Sequence, residues 1–156
     1  IVRDYAHFYD RLVDRREVDG GRIVFHGRSL GGGVVGVLAG QKRAAALILE
    51  STFTNVPDLA SRWWAPMGAI TDRFDTRAVL LEAAAPTLIL HGVEDDVVPF
   101  QHAVELDRVA WDSTLIAYRA GHSDLPRTED AYWRRVRAFL TDARVIRPRR
   151  SAPDES

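Results

Sequence analysis

The feature that most constrains this chain is a serine set between two glycines, Gly27-Arg28-Ser29-Leu30-Gly31. An apolar run leads into it and a helix-compatible run, 34–39, leads out. A serine at such a strand-to-helix corner forms a nucleophile elbow, in which the turn lifts the hydroxyl clear of the sheet. We expect a Cβ at either Gly27 or Gly31 to crowd the backbone where the strand and the helix meet.

The residue after the serine belongs to the same predicted site. The N–H of Leu30 would lie at the start of the helix, where backbone N–H groups are unpaired and attract negative charge. We therefore predict that it stabilises an oxyanion formed beside Ser29. The motif alone is a moderate signal, because any glycine-rich turn before a helix can contain an unreactive serine.

The rest of the chain alternates between apolar runs and amphipathic segments. Alternation of this kind, with no hairpin signal, predicts an α/β fold in which helices flank a parallel sheet. An unbroken apolar run such as 45–49 is typical of a strand that is buried on both faces. The predicted strands are 22–26, 45–49, 86–91 and 113–118, and the predicted helices are 2–16, the run after Ser29, a helix capped by Thr54 or Asn55, 100–109 and 129–142.

Composition excludes several classes of function. The chain has 156 residues, a formal net charge of −1 and no cysteine. The near-neutral charge gives no reason to expect a nucleic acid as partner, and the missing thiols exclude disulfides and thiolate metal sites. No run is apolar and long enough to span a bilayer. The compartment is not encoded, although the cytoplasm is favoured.

Residues 1–146 are predicted to form one partial domain, and residues 147–156, rich in arginine and proline, a disordered tail. Residues 59–78 show no regular pattern. They carry Trp63, Trp64, Pro66 and Met67. These side chains either cover the mouth of a site or pack a helix onto the body, and the sequence does not separate the two.

Three loops that follow predicted strands carry the candidate catalytic residues Ser29, Asp95 and His122. In parallel sheets reactive groups gather beyond the carboxyl ends of the strands, and the order Ser, Asp, His is the one that serine hydrolases on such sheets use. Since a serine hydroxyl is a poor nucleophile near neutral pH, His122 is needed as the base. Asp95 would hold the imidazole in the correct tautomer.

The acidic residue has a rival in its neighbour. Asp95 lies inside the loop, whereas Asp96 directly precedes the run that opens the next helix, so we favour Asp95. A metal site on His91 and Asp95 is a minor alternative, because no helical His-x-x-x-His pair supports it. No metal and no cofactor are expected. The remaining histidines, 7, 26 and 102, are interpreted as surface or hydrogen-bonded groups.

With this set of residues the chain resembles the α/β-hydrolase superfamily, and more narrowly the Bem46-like serine hydrolases. In that resemblance the pattern His-Gly-x-x-Asp places the acid on Asp95. Four segments carry the likeness in order along the chain: Gly27-Arg28-Ser29-Leu30-Gly31-Gly32, Leu49-Glu50-Ser51-Thr52-Phe53-Thr54, His91-Gly92-Val93-Glu94-Asp95-Asp96-Val97-Val98-Pro99 and Gly121-His122-Ser123-Asp124.

The resemblance implies hydrolysis of acyl esters or thioesters, of small-molecule or lipid-like substrates, through an acyl-enzyme and without a cofactor. It also implies that this chain is the carboxyl-terminal half of the fold, since about four strands are visible and the loop that supplies a second oxyanion donor is not. Two other readings stay open. The same triad can transfer the acyl group to another acceptor or cleave peptides, and a truncated hydrolase fold can act as a non-catalytic binding module.

Overall fold

The computed structural model describes residues 1–61 and 74–148. Four strands and six helices follow one another in these residues, with a short 3₁₀ turn at Gly20–Arg22. The strands are β1 (Val24–Arg28), β2 (Ala46–Glu50), β3 (Thr87–Gly92) and β4 (Ser113–Tyr118). The helices are α1 (Val2–Val13), α2 (Leu30–Ala39), α3 (Val56–Ser61), α4 (Thr76–Glu82), α5 (Phe100–Val109) and α6 (Asp130–Asp142).

The strands form one parallel sheet in the order β1-β2-β3-β4, which confirms the predicted α/β architecture. Its register aligns Gly27 with Leu49, Leu49 with Ile89, and Ile89 with Leu115. Every residue of β2 and β3 is buried, because these two central strands are covered on both faces. Their unbroken apolar sequences follow from that position.

Helices cover the two faces of the sheet unequally. One core cluster joins β1, β2 and β3 to side chains of α2, α4 and α5, among them Leu38, Leu80 and Leu106. Each strand here pairs with the next one along the chain, and the crossovers between them have the same hand. The helices that connect consecutive strands therefore lie on the same face of the sheet. A second cluster on the opposite face packs Leu88 and Leu90 against α6. Because all four strands are parallel, their carboxyl ends lie along one rim of the sheet.

Two local differences from the sequence prediction have identifiable causes. Strand β1 begins at Val24, two residues later than predicted, because the Asp19 side chain accepts a hydrogen bond from Gly21 N and winds the preceding residues into the 3₁₀ turn. Helix α4 was not predicted. It begins after Asp75, whose carboxylate accepts a hydrogen bond from Ala78 N at 2.9 Å, and seven residues are too few to show a helical period clearly.

The final helix turns one aromatic residue away from the core. We expected Tyr132, Trp133, Val136, Phe139 and Leu140 all to point inward, but Trp133 is 51% exposed. Measured from Tyr132, the other three lie four, seven and eight positions further along the helix and form one stripe with it. Trp133 lies at the edge of that stripe, and its indole N–H donates to the Arg127 carbonyl outside the core. The prediction for Trp133 was wrong for this reason.

Two predicted regions fall largely outside the described residues. Trp63, Trp64, Pro66 and Met67 of the predicted lid lie in the gap between 61 and 74, and the tail predicted from 147 is described only at 147 and 148. In the two described ranges no helix combines the length and the apolar character needed to cross a membrane.

Candidate active site

The elbow is a strained corner held by backbone hydrogen bonds. Ser29 lies between β1 and α2 with φ 50° and ψ −122°, in a region that residues other than glycine rarely adopt. Its N–H donates to the Glu50 carbonyl at 2.9 Å. Its own carbonyl accepts from Gly32 N at 2.9 Å and from the Thr52 hydroxyl at 2.8 Å. These contacts from the end of β2, from Thr52 just after it and from α2 fix the direction in which the hydroxyl points.

The two glycines of the motif have different roles. A Cβ on Gly27 would lie 2.3 Å from the carbonyl oxygen of Gly31 and 2.6 Å from a methyl group of Val35, so this position requires glycine. A Cβ on Gly31 would meet no atom within 4 Å. The prediction that both glycines are sterically required is correct for Gly27 and wrong for Gly31. The close approach occurs one residue later, at Gly32, where a Cβ would lie 2.4 Å from the Thr52 hydroxyl.

The structure brings the three candidate catalytic side chains into one hydrogen-bonded chain. The Nε2 atom of His122 lies 3.0 Å from the Ser29 hydroxyl oxygen, and its Nδ1 atom lies 2.8 Å from Oδ2 of Asp95. The His122 side chain is 14% exposed and that of Asp95 is fully buried. The imidazole is therefore placed to accept the serine proton on one side while it donates to a carboxylate on the other.

The Asp95 carboxylate is fixed by the loop that contains it. Its Oδ1 atom accepts hydrogen bonds from the N–H groups of Val97 at 3.0 Å and Val98 at 2.7 Å. That leaves Oδ2 for His122. Asp96 is exposed. Of the two neighbouring acids, the structure therefore places Asp95 against the histidine.

A second histidine, His91, lies next to Asp95 on its buried side. His91, at the end of β3, is completely buried and donates from Nε2 to the Val98 carbonyl at 2.8 Å. The same nitrogen lies 3.3 Å from Oδ2 of Asp95. Burial is the main cause that lowers the pKa of His91 from its usual 6.5, against the opposing effects of the Val98 carbonyl and Asp95. His91 therefore supports the loop that carries Asp95 from the buried side, through its hydrogen bond to the Val98 carbonyl.

The predicted oxyanion donor lies at the start of a helix. Leu30 is the first residue of α2, so its N–H has no partner inside the helix. Its side chain is half exposed at the rim of the site. The N–H of this residue and the Ser29 hydroxyl belong to the same corner of backbone. A carbonyl carbon attacked by Ser29 would therefore carry its oxygen near the amino terminus of α2.

Two supporting residues were not identified from the sequence. Thr52 holds the Ser29 carbonyl, and Arg28 donates from Nη2 to the Ser123 hydroxyl at 2.9 Å. The second contact links the residue before Ser29 to the residue after His122. Both residues lie inside segments that carry the family resemblance, which was the available signal, but a hydroxyl or an arginine at these positions predicts no partner by itself.

The other histidines are hydrogen-bonded or exposed. His26 shares a hydrogen bond with Glu50 at 2.8 Å, His102 shares one with the Thr54 hydroxyl at 3.0 Å, and His7 is exposed on α1. Across 1–61 and 74–148 no group of three or more histidine, aspartate or glutamate side chains is arranged to hold a metal ion.

The family follows from a comparison with known proteins. A sequence model of the prolyl oligopeptidase family matches residues 1–110 of this chain. The chain belongs to the prolyl oligopeptidase family. Its relatives include α/β hydrolase domain-containing proteins and protein bem46, which confirms the resemblance drawn from the four sequence segments.

Three comparisons show the extent of the likeness. The α/β hydrolase domain-containing protein WAV2 of Arabidopsis thaliana is 32% identical over 120 residues, which cover 65% of this chain and 39% of WAV2. Protein bem46 of Schizosaccharomyces pombe is 36% identical over 86 residues, which cover 50% of this chain and 29% of that protein. An acetyl xylan esterase from Paenibacillus sp. R4 superposes with a TM-score of 0.71 at 22% identity, over 88% of this chain and 51% of the esterase.

The chain thus spans half or less of the length of these curated relatives. The likeness to the esterase shows a shared fold. Taken together, the family match and the structural neighbours show that the chain has an α/β-hydrolase fold.

Proposed function

We propose that this chain carries the catalytic machinery of a serine hydrolase that cleaves acyl esters or thioesters. Ser29 is the nucleophile, His122 is the general base and acid, Asp95 orients the imidazole, and the Leu30 N–H stabilises the oxyanion. The observation that supports this most directly is the continuous contact from Ser29 Oγ through His122 to Asp95, at 3.0 Å and 2.8 Å. Such distances lie within the reach that proton transfer requires.

The geometry supports a two-step reaction. As Ser29 Oγ bonds to the acyl carbon, its proton passes to Nε2 of His122 and the carbonyl electrons move onto the oxygen. When the intermediate collapses, the bond to the alcohol or thiol breaks and the leaving group takes the proton from His122. Water then gives its own proton to His122 and attacks the acyl-enzyme. The acid is released and the proton returns to Ser29.

Two features support an activated serine over an inert one. The strained φ of Ser29 persists because contacts from Glu50, Thr52 and Gly32 hold it, and strain of this kind concentrates at functional sites. In addition, Oδ2 of the buried Asp95 faces His122, a contact that the N–H groups of its own loop do not supply. Both features favour catalysis over the reading as a binding module.

A second candidate reaction is cleavage of a peptide or acyl-amino-acid bond by the same residues. The match to the prolyl oligopeptidase family, whose name denotes peptidases, favours this reaction. Amide cleavage uses the same steps, with His122 giving its proton to an amine instead of an alcohol. Parallel assays with a p-nitrophenyl ester and an N-acyl-aminoacyl p-nitroanilide separate the two candidates by their ratio of kcat/KM.

The decisive experiment combines a reactive probe with matched variants. We expect a fluorophosphonate to label Ser29 in the full chain and p-nitrophenyl butyrate to be hydrolysed. The Ser29→Ala variant is expected to lose labelling and on the order of 10⁴-fold or more in kcat, because triad members act as a unit. Ser113→Ala, at the opposite end of the sheet, is the control and is expected to keep both.

The neighbouring acids supply a second matched pair. Asp95→Asn is expected to lower kcat by roughly 10⁴-fold, since the amide cannot hold the imidazole in the correct tautomer. Asp96→Asn, at an exposed position, is expected to behave as the wild type. Retained hydrolysis in Ser29→Ala, or equal losses in the two aspartate variants, would contradict the proposal.

A further inference from the structure

A buried carboxylate that the proposed reaction does not use lies directly under the site. Glu50 is the last residue of the apolar strand β2 and is 1% exposed. Groups from three other elements surround its carboxylate. His26 of β1 lies 2.8 Å from Oε1, the Tyr132 hydroxyl of α6 donates to the same oxygen, and Nη1 of Arg127 lies 3.8 Å from Oε2.

This carboxylate connects to both halves of the candidate triad. The main-chain carbonyl of Glu50 accepts the hydrogen bond from Ser29 N at 2.9 Å. Its side chain faces Arg127, whose Nη2 donates to the Ser123 carbonyl at 3.1 Å. Ser123 directly follows His122 in the chain. A single residue therefore links the backbone of the nucleophile to the loop that carries the base.

A charge in this position has to be explained, because packing alone would not select it. Taking a carboxylate out of water costs several kcal/mol unless it is compensated. Burial by itself would raise the pKa of Glu50, but the hydrogen bonds of His26 and Tyr132, together with the charges of His26 and Arg127, outweigh it and lower the pKa. Burial is the main cause that raises the pKa of Tyr118 on β4, and the charge of Glu50 adds to that rise. The surroundings are thus built to keep Glu50 ionised.

We propose that Glu50 is a positioning residue, and that its charge holds Arg127 so that the loop after β4 keeps His122 within reach of Ser29. The inference rests on the proposed function of those two residues. Arg28 supports the same loop from the β1 side through the Ser123 hydroxyl, so that Ser123 is held at both its side chain and its carbonyl. Without Arg127 the contact to the Ser123 carbonyl is lost, and of the two arginine contacts to Ser123 only that of Arg28 remains.

The test begins with Arg127, because its replacement leaves the buried hydrogen bonds of Glu50 to His26 and Tyr132 intact. In the full chain, Arg127→Gln is expected to lower kcat for p-nitrophenyl butyrate by about 10- to 100-fold, the effect of a misplaced catalytic group. KM is expected to change by less than about twofold, since Arg127 acts on the base and not on the substrate. Arg127→Lys restores the charge and is expected to recover part of the loss.

Arg119→Gln is the matched control. Arg119 lies near the same loop and forms an exposed ion pair with Glu94 at 3.1 Å, and exposed pairs contribute little. We expect it to keep the kcat of the wild type. Glu50→Gln is the second variant and is expected to lose at least as much kcat as Arg127→Gln.

Hydrogen–deuterium exchange gives a readout that does not depend on turnover. We expect faster exchange at the amides of residues 121–125 in Arg127→Gln, and unchanged exchange there in Arg119→Gln. Wild-type kcat together with unchanged exchange in Arg127→Gln would overturn the inference, and so would a loss that lysine does not relieve. If the wild type reacts with no ester and no fluorophosphonate, the proposed function fails. Faster exchange in Arg127→Gln than in Arg119→Gln would still establish the link between Arg127 and the loop.

Discussion

Ser29 illustrates how much of this site depends on single backbone positions. A residue other than glycine in its conformation costs on the order of 1–3 kcal/mol, and the neighbouring glycines determine whether the turn forms at all. Gly27 is in contact with the backbone of Gly31, whereas the space beside Gly31 is open. The two glycines of one motif thus differ in what each can tolerate.

These two positions give a matched prediction at the residue scale. Gly27→Ala is expected to destabilise the protein by about 3 kcal/mol, because its Cβ would overlap the Gly31 carbonyl and Val35. Gly31→Ala is expected to be neutral or to stabilise by up to about 1 kcal/mol, since alanine favours the first turn of α2. Urea denaturation of both variants checks this, and equal losses in the two would contradict the steric argument.

At the scale of elements, α2 is the helix that fixes the geometry between the elbow and the core. Its first half lies against β1 and the Thr52 side chain, and its second half packs against α4. A Cβ on Gly36 would lie 2.8 Å from the Thr76 methyl group. Thr76 is completely buried and begins α4. Small residues on α2 therefore let two elements approach closely.

The contact between α2 and α4 gives a second prediction. Gly36→Ala is expected to lower the free energy of unfolding by about 1–3 kcal/mol, the usual cost of overpacking. Thr76→Ser removes the clashing methyl group and is expected to relieve much of that loss in the double variant, so that the two changes are not additive. Gly40→Ala, at the end of α2 where a Cβ has room at 3.5 Å, is the control. Additive losses measured by denaturation would contradict this packing.

For the molecule as a whole, acid stability depends on buried groups of both charge types, chiefly His91 and Glu50. Burial also lowers the pKa of His102, which acts in the same direction as His91. The pKa of His91 is lowered from 6.5, mainly by burial. Just below pH 6.5 the imidazole is therefore protonated in the unfolded chain but still neutral in the folded chain. The pKa of Glu50 is lowered from 4.5 because its partners outweigh burial, so the unfolded chain is again protonated first. In both cases the unfolded state gains protons and the free energy of unfolding falls with falling pH.

We therefore expect stability to fall in two stages on acidification, the first below pH 6.5 and the second below pH 4.5. His91→Gln keeps a donor for the Val98 carbonyl and is expected to flatten part of the first stage, while the part that comes from His102 remains. Glu50→Gln is expected to flatten the second. Urea denaturation at a series of pH values measures both, with the exposed His7→Gln as control. A wild-type curve without a decline between pH 6.5 and 4.5 would contradict the role of His91.

Local sequence determined a large part of this protein. The apolar runs predicted four parallel strands, and helix α5 and strand β4 begin and end at the predicted residues. The corner at Ser29 was also readable, because it depends on Gly27 and on neighbours a few positions away. Patterns of this kind depend on backbone preference and on which side of an element is buried, and both act over short stretches of chain.

Tertiary structure alone decided the contacts between distant segments. It left open the space beside Gly31, and it surrounded Glu50 with groups from β1, α6 and the loop before α6. Each of these depends on the register of the sheet and on which side chain arrives from tens of residues away. The sequence names the residue types that can react, but only packing determines which of them meet.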